Sequence, residues 1–390
     1  MQLGRRSEVF GRPICIAHLI TELNVGGAER MLCRLVGRMN PDLFRPVIIS
    51  MTDRGPVGEK MASEGVRVFS LGMALGRPNL MGSVRLYRLL KEIGPDILQT
   101  WLYHADLLGL IVGKIAGVER IAWGLRCSNV DTGYFSLLTD LTVRVCGKLS
   151  RYVDAIAVNS AQGRKVHSER GYSTARMVEI PNGFDTDLFQ PDPSARGGVI
   201  AELGIPENAI LIGLVARFDP MKDHGTFLKA ASLTSGVESS AHFLLIGRGI
   251  TGENPRLDAL MDLRLRDRVH LLGVRDDMPR LTAALDIAVS SSAYGEGFSN
   301  TIGEAMACGV PCVGTNVGDA AEIIGDTGIV VPPRSPELLA EAWRRLFEMG
   351  REQRQRLGER ARARMVEKYE IGQVVRRFED FYQGLRRAEG

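Results

Sequence analysis

The chain has no run of eighteen or more uninterrupted apolar residues, which is what a bilayer-spanning helix requires. Its longest candidate, "ADLLGLIVGKIAGV" at 105–118, is short and carries Asp106 and Lys114. The opening stretch has basic residues before an apolar run, but that run covers only 14–20 and leads into Thr21, Glu22 and Asn24 without a small-residue cleavage site. It reads as a disordered lead-in followed by a first buried strand, in a cytoplasmic protein, rather than as a signal peptide. The six cysteines, Cys15, Cys33, Cys127, Cys146, Cys308 and Cys312, contain no CxxC pair and no zinc-like spacing with histidine. They read as small buried apolar residues, and no metal is expected. Charge of one sign is scarce as well, with a net of +3 over 390 residues. No nucleic-acid partner is therefore expected. What asymmetry there is favours the first half: residues 1–190 hold 24 Lys and Arg against 18 Asp and Glu, net +6, and the remainder is net −3. Two readings of that excess stand side by side, an anionic surface or ligand facing it and scattered solvated charge.

What is present is an ordinary globular composition, 45% hydrophobic and 24% charged, in a chain longer than one core usually supports. Short apolar runs alternate with amphipathic stretches. "PICIAHLI", "RPVIISM", "VRVFSL", "DILQTW", "RIAWGL" and "DAIAVNS" form one series, and "AILIGLVAR", "HFLLIGRG", "RVHLLG", "DIAVSSS", "PCVGT" and "GIVVPP" form a second. Alternation of this kind predicts parallel sheets covered by helices on both faces. Between the series lies "IPNGFDTDLFQPDPSARGG", rich in Pro, Gly and Asp, which reads as a linker. The expectation is an α/β chain of two doubly wound, Rossmann-like domains facing across a cleft. The first covers 1–183, the linker 184–196 and the second 197–370. Ligands in such sheets bind outside the carboxyl ends of the strands, so the loops leaving those ends are where chemistry is sought.

Two of these loops carry a coherent donor set. After "ILIGLVA" comes "RFDPMKDH", in which Arg217 and Lys222 flank a turn at Pro220. A forked guanidinium and a point cation at a cleft mouth suit a diphosphate, with an incidental surface turn as the plainer reading. After "DIAVSSS" comes "AYGEGFSNTIGEAMACGVPCVGT". Ser299 or Asn300 suits an N-cap, and the N–H groups of Phe298 to Gly303 would form an anion site at the helix start. Glu304, one turn further in, can accept from two neighbouring ribose hydroxyls, while Glu296 reaches whatever lies beyond the phosphates. Such a ligand is a nucleotide-sugar. The plainer alternative leaves Glu304 capping its own helix and Glu296 in solvent.

The pattern E-G-F-x-N-x-x-x-E from Glu296 to Glu304, followed by "EAMACGVPCVGT", resembles the signature of family 4 retaining glycosyltransferases of the GT-B fold. The resemblance spans nearly the whole chain: "NVGGAER" at 24–30, "IPNGFDTDLFQP", "ARFDPMKDH", and a final segment, about 371–390, like the one that crosses back to the first domain. It implies that Arg217 and Lys222 bind the donor diphosphate and stabilise departing charge. It assigns Glu304 to the ribose, and Glu296 with Gly297, Phe298, Ser299 and Asn300 to the donor sugar and phosphates. Gly26 and Gly27 would let backbone approach the donor, and Gly247 likewise. Gly273, Val274 and Arg275 in "HLLGVRDDM" would contact the base. "WLYHADLLG" resembles the segment that places a histidine by the transferred sugar, here His104, and "LRCSNVD" would bring Arg126, Ser128 and Asn129 to the acceptor.

The implied reaction is hexosyl transfer with retention from a nucleotide-diphosphate sugar, UDP-sugar favoured, to a glycan or polyprenyl-linked acceptor in cell-surface polysaccharide or lipopolysaccharide assembly. No protein nucleophile, metal or other cofactor is implied. A glycosidase pair made of the two glutamates is disfavoured because such carboxyls must flank the bond about 5 Å apart. "GRGITG" at 247–252 matches GxGxxG and keeps an NAD(P)-dependent oxidoreductase as the alternative, but it lies outside the first βα unit of its domain and no strong helix follows. "DTD" at 185–187 falls in the linker rather than at a strand end. A non-catalytic nucleotide-sugar-binding protein is the third reading. "RPNLMGSVRLYRLLKEIG", with Arg77, Arg85, Arg88 and Lys91, reads either as a segment resting on the inner face of the membrane or as an ordinary helix on its sheet.

Overall fold

The computed structural model describes residues 12–24, 26–74, 79–127 and 137–387. The chain divides into two compact units, one of residues 1–183 and 371–390, the other of 184–370.

In the first unit the strands are β1 (Ile14–Ile20), β2 (Phe44–Ser50), β3 (Arg67–Ser70), β4 (Ile97–Trp101), β5 (Arg120–Leu125), β6 (Ala155–Val158) and β7 (Met177–Glu179). The connecting helices are α1 (Gly27–Val36), α2 (Gly55–Ser63), α3 (Leu80–Ile93), α4 (Tyr103–Ile115), α5 (Leu137–Leu149) and α6 (Ala161–Glu169). The second unit holds β8 (Ile210–Val215), β9 (Ala241–Ile246), β10 (Val269–Leu271), β11 (Ile287–Ser290), β12 (Cys312–Thr315) and β13 (Gly328–Val331). Its helices are α7 (Ala195–Leu203), α8 (His224–Ser235), α9 (Pro255–Asp258), α10 (Met278–Ala283), α11 (Asn300–Ala307), α12 (Ala320–Ile324), α13 (Pro336–Glu348) and α14 (Gly350–Tyr369). The last helix, α15 (Ile371–Arg387), belongs to the first unit.

Both sheets are parallel, in the orders β3-β2-β1-β4-β5-β6-β7 and β10-β9-β8-β11-β12-β13. Strand order reverses direction beside β1 in one and beside β8 in the other, which is the doubly wound pattern read from the alternation. Near-continuous apolar runs such as "ICIAHLI" are buried along their full length because helices cover both faces. One face of the first sheet packs on α3, α4 and α5 through Leu86, Leu90, Leu110 and Val143. The other packs on α1 and α15 through Met31, Leu35, Val374 and Phe378.

Two expectations are corrected. β7 was not anticipated, because it is only three residues long and just Met177 of it is buried, which leaves too little alternation to read. The stretch taken as a free linker is packed into the second unit: Phe184 and Phe189 are buried in its core. Phe184 lies against Gly303 so closely that a Cβ there would sit 2.2 Å from its ring, so the small residue on α11 is what seats the aromatic. "DTD" becomes a turn, with Asp185 Oδ1 accepting from the backbone N–H of Leu188 at 3.0 Å.

The β4–α4 connection is a single residue, Leu102. Leu102 takes φ 73°, a left-handed value uncommon outside glycine. It is held there by Leu102 N donating to Gly124 O at 3.3 Å and by Asp106 N donating to Leu102 O at 2.9 Å. The Asp106 side chain closes the corner from inside, accepting from Thr100 Oγ1 at 2.5 Å. Burial pushes its carboxyl up to about 8, against the opposing pull of the Thr100 and Gly124 hydrogen bonds and the Arg126 charge.

That shift has a signed consequence. The unfolded chain ionises this group near the ordinary 3.8, while the fold keeps it protonated to about 8. Stability is therefore withdrawn progressively as pH rises through that window, with no further loss above it. Asp106→Asn cannot ionise. Its urea midpoint relative to wild type should climb in the variant's favour from about pH 4 to about pH 8 and then level off. A difference that does not vary with pH would show that Asp106 is ionised in the fold.

Candidate functional site

In the second unit, the loops leaving β8, β9, β10, β11 and β12 are stitched together by short contacts. Ala293 N donates to Met221 O at 2.8 Å, and Ser291 Oγ donates to Lys222 O at the same distance, which joins the β8 and β11 loops. Phe218 N donates to Arg248 O at 2.8 Å and Gly247 N to Gly273 O at 2.7 Å, which adds the β9 and β10 loops. Asp319 N donates to Gly297 O at 3.2 Å and brings in the loop after β12. Gly247 has φ 149°, and a Cβ there would meet Ala216 O at 2.3 Å, so backbone closes on backbone at this point only without a side chain.

The centre of this cluster is an ion pair between Lys222 Nζ and Glu296 Oε1. Their side chains are 18% and 12% exposed, so both charges have left bulk water. Ser292 Oγ donates to the same carboxylate oxygen at 2.6 Å. Burial pushes the Glu296 carboxyl up, but the Lys222 charge, the hydrogen bonds from Lys222 and Ser292 and the Arg217 charge outweigh it, so the group is held below its usual range. Arg217 stands at the rim, its Nε 3.1 Å from Asp219 Oδ2, with nearly half of its side chain in solvent. Both cations named from the sequence therefore stand by Glu296: Lys222 in direct contact with it and Arg217 through its charge.

Ser299 is the N-cap of α11, but its side chain makes no capping hydrogen bond. The Ser299 hydroxyl therefore does not cover the start of α11, and a helix N-terminus is where backbone N–H groups and the helix dipole favour an anion. Glu304 is buried, at 5% exposure, one turn in. Phe298, expected beside the donor, turns its ring into the core against Phe184 at 5.9 Å and Tyr369 at 5.3 Å, leaving only its backbone to the loop. Arg275 likewise has its side chain committed elsewhere, donating to Glu202 Oε1 at 2.8 Å and to Asp277 at 2.9 Å, while neighbouring Val274 is exposed. At Gly273 and Arg275 the backbone is what remains to meet a ligand.

In the first unit, Gly26 is the extended N-cap of α1 and Gly27 its first residue. His104 lies in the first turn of α4, two residues past the strained Leu102, with Nε2 3.5 Å from Thr139 Oγ1. Burial lowers its pKa, so the imidazole is neutral at neutral pH. Arg126 follows β5, its Cζ 4.4 Å from the Trp101 ring centroid. Ser128 and Asn129 lie outside the described residues. Among the described residues no group of three His, Cys, Asp or Glu could hold a metal ion. After "GRGITG" comes only the four-residue α9, so the helix that a dinucleotide fingerprint opens onto is not formed there.

Ser292, Ser291 and Asp319 were not singled out from the sequence. The serines were visible as "VSSS" at a strand end, but a run of hydroxyls carries no direction until the strand's pleat assigns each side chain to a face.

Comparison with known proteins identifies the family and the fold. Residues 25–188 match the family described as Glycosyltransferase Family 4, and residues 209–349 match Glycosyl transferases group 1. The chain is 26% identical over 378 residues, 92% of its length and 95% of the relative's, to a GDP-mannose-dependent alpha-(1-6)-phosphatidylinositol monomannoside mannosyltransferase of Mycobacterium tuberculosis. It is 27% identical over 315 residues, 78% of its length and 80% of the relative's, to the Escherichia coli UDP-Gal:alpha-D-GlcNAc-diphosphoundecaprenol alpha-1,3-galactosyltransferase. In fold it matches the Anabaena protein HepE, solved in complex with UDP-glucose, at TM-score 0.82 and 22% identity over 95% of this chain and 100% of that one.

The pairing of Lys222 with Glu296 makes a stability prediction independent of any ligand. Lys222→Met leaves a carboxylate nearly buried without its cation and should cost about 2–4 kcal/mol in urea unfolding. Adding Glu296→Gln removes the stranded charge and should recover a good part of that loss. A double variant no more stable than Lys222→Met alone would mean that the two charges do not depend on each other.

Proposed function

Because the chain belongs to the group 1 and family 4 glycosyltransferases and has their GT-B fold, we propose that it moves a hexosyl group, with retention, from a nucleotide-diphosphate sugar to a glycan or lipid-linked acceptor. The observation that carries this reading is the Lys222–Glu296–Ser292 cluster beside the uncapped start of α11, with Glu304 one turn behind it. A cation pair, a helix N-terminus and a ribose-accepting carboxylate follow one another in the order in which a nucleotide-sugar presents diphosphate and ribose. The relatives named above use UDP-galactose and GDP-mannose, and HepE was solved with UDP-glucose; a UDP-sugar is the favoured donor here.

In the reaction we assign, Arg217 and Lys222 hold the diphosphate and take up charge as the bond from the anomeric carbon to the phosphate oxygen breaks. Glu296 holds the sugar on the far side of that diphosphate. The acceptor hydroxyl forms the new bond on the same face and gives its proton to a phosphate oxygen of the departing nucleoside diphosphate, so no protein nucleophile and no metal enter. Neutral His104 stands by the transferred sugar as a hydrogen-bonding group. The place of action is the inner face of the membrane, where α3 would rest: Leu80, Met81, Val84 and Tyr87 are exposed along it, among exposed Arg88 and Lys91. Among the described residues no helix is long and apolar enough to cross a membrane.

Three measurements test this. The melting midpoint should rise with UDP, or with GDP if the base is guanine, and Glu304→Ala should abolish the rise; stabilisation by NADH alone would restore the oxidoreductase reading. Turnover of the matching nucleotide-sugar, followed by proton NMR of the product's anomeric signal, should show the donor's configuration kept, and an inverted product overturns retention. Co-sedimentation with phosphatidylglycerol vesicles should be strong at low salt and weaken as salt is added, and a protein that stays in the supernatant at low salt has no such membrane contact.

A further inference from the structure

The face of the first sheet that α15 covers is polar at one end. His18 Nε2, Tyr382 Oη, Arg126 Nε and Nη2, and Asn159 Nδ2 and Oδ1 are all buried there with no hydrogen-bond partner among the described residues. Orphaned buried polar atoms are uncommon and each one costs free energy, so a group of them calls for a missing partner. Arg126 makes the deficit one of charge. Its single hydrogen bond among the described residues runs from Nη1 to Asn182 Oδ1 at a long 3.4 Å, and its Cζ sits over two rings, 4.4 Å from the Trp101 centroid and 5.3 Å from that of Phe378. Rings attract the cation through their faces but accept none of its in-plane N–H groups. Burial lowers its pKa only to about 10, so it stays charged. The two acids whose charge would act on it, Tyr382 and Asp106, are both kept protonated by burial. Among the described residues no counter-charge is supplied.

Asn159 stands beside it. In the parallel pairing of β5 with β6, Leu125 lies opposite Val158, and Asn159 N donates to Leu125 O at 3.3 Å, so Arg126 and Asn159 are the next residues along, just past both strand ends. Asn159 is 1% exposed and neither its amide nitrogen nor its amide oxygen has a partner among the described residues. Arg126 is not sealed as a whole, since part of the residue reaches solvent. A charged fork with two unpaired nitrogens and a buried amide with a third make a donor set that lacks an acceptor among the described residues, at the carboxyl ends of a parallel sheet, where ligands enter.

We propose that Arg126 and Asn159 form an oxyanion subsite at the carboxyl ends of β5 and β6 that takes a phosphate or carboxylate group of the acceptor. Two oxygens fit the guanidinium fork and a third contact comes from the amide. The inference rests on the transferase reading only in naming the acceptor as the source of the anion; the subsite itself follows from the unpaired donors.

The test is the melting midpoint of the whole chain, first with UDP at saturation to occupy the donor loops, then with inorganic phosphate, pyrophosphate or acetate added. Wild type should rise steadily with the logarithm of anion concentration. Phosphate or pyrophosphate acting alone assigns a phosphorylated acceptor, and acetate acting equally well assigns a carboxylate. Arg126→Met should lose the response. Asn159→Asp supplies the missing carboxylate from within, so it should melt higher than wild type without added anion and should no longer respond. Equal responses in wild type and both variants would mean an adventitious ion only, and no response in wild type, or a lowered midpoint in Asn159→Asp with its response intact, overturns the proposal. If UDP gives no shift, the donor assignment fails, while the contrast between wild type and Arg126→Met without UDP still decides the subsite.

Discussion

Parallel strands joined by right-handed crossovers all end at the same edge, and that constraint organises everything else in this chain. Each loop that leaves a strand must start from that edge, so residues as distant in sequence as Lys222 and Glu296 become neighbours without any direct pairing signal between them. The same edge is where backbone N–H groups and helix starts accumulate, because a helix follows each loop. The Lys222–Glu296 cluster in the second unit and a polar, cationic corner in the first are two results of one topology.

Within the second unit, the carboxylate at 296 is the point that the other contacts serve. Taken out of water, it needs a cation, and Lys222 supplies one while Ser292 fills a further lone pair. Holding Lys222 there fixes the β8 loop, whose backbone is pinned by Ser291 and Ala293. The chain's own contacts hold Lys222 and Glu296 in place, and a fixed cation is what the role proposed for Lys222 at a departing diphosphate requires. Gly303 ties the site to the core: by leaving room for Phe184 it seats α11, and with it the helix start and Glu304.

The first unit spends stability differently. A left-handed Leu102, a carboxyl kept neutral at Asp106 and a cation without a counter-charge at Arg126 all sit within one corner around β4 and β5. Each departs from what a purely structural core would choose, and each lies next to a residue with a proposed role. Local conflict of this kind, in a chain otherwise consistent from pattern to packing, is characteristic of functional positions.

Much of this was already determined by the sequence alone. Twelve of the thirteen strands among the described residues followed from apolar runs bounded by turn residues, because a strand covered on both faces has to be apolar throughout. The two-unit layout followed from their repetition, and the donor role proposed for Glu296 and Glu304 rests on their spacing across one glycine-rich turn. Other features waited on the tertiary structure. β7 is too short for any period to register. Phe184 looked like linker because burial of a lone aromatic is decided by the partner it meets, here Gly303 on another element. Phe298 and Arg275 stood in the right places for a donor, yet their side chains answer to Phe184 and Tyr369, and to Glu202 and Asp277. The state of Asp106 and the unpaired donors of Arg126 and Asn159 lay furthest from view. Whether a polar group is satisfied depends on what lies within about 3 Å of it, and no pattern along the chain carries that distance.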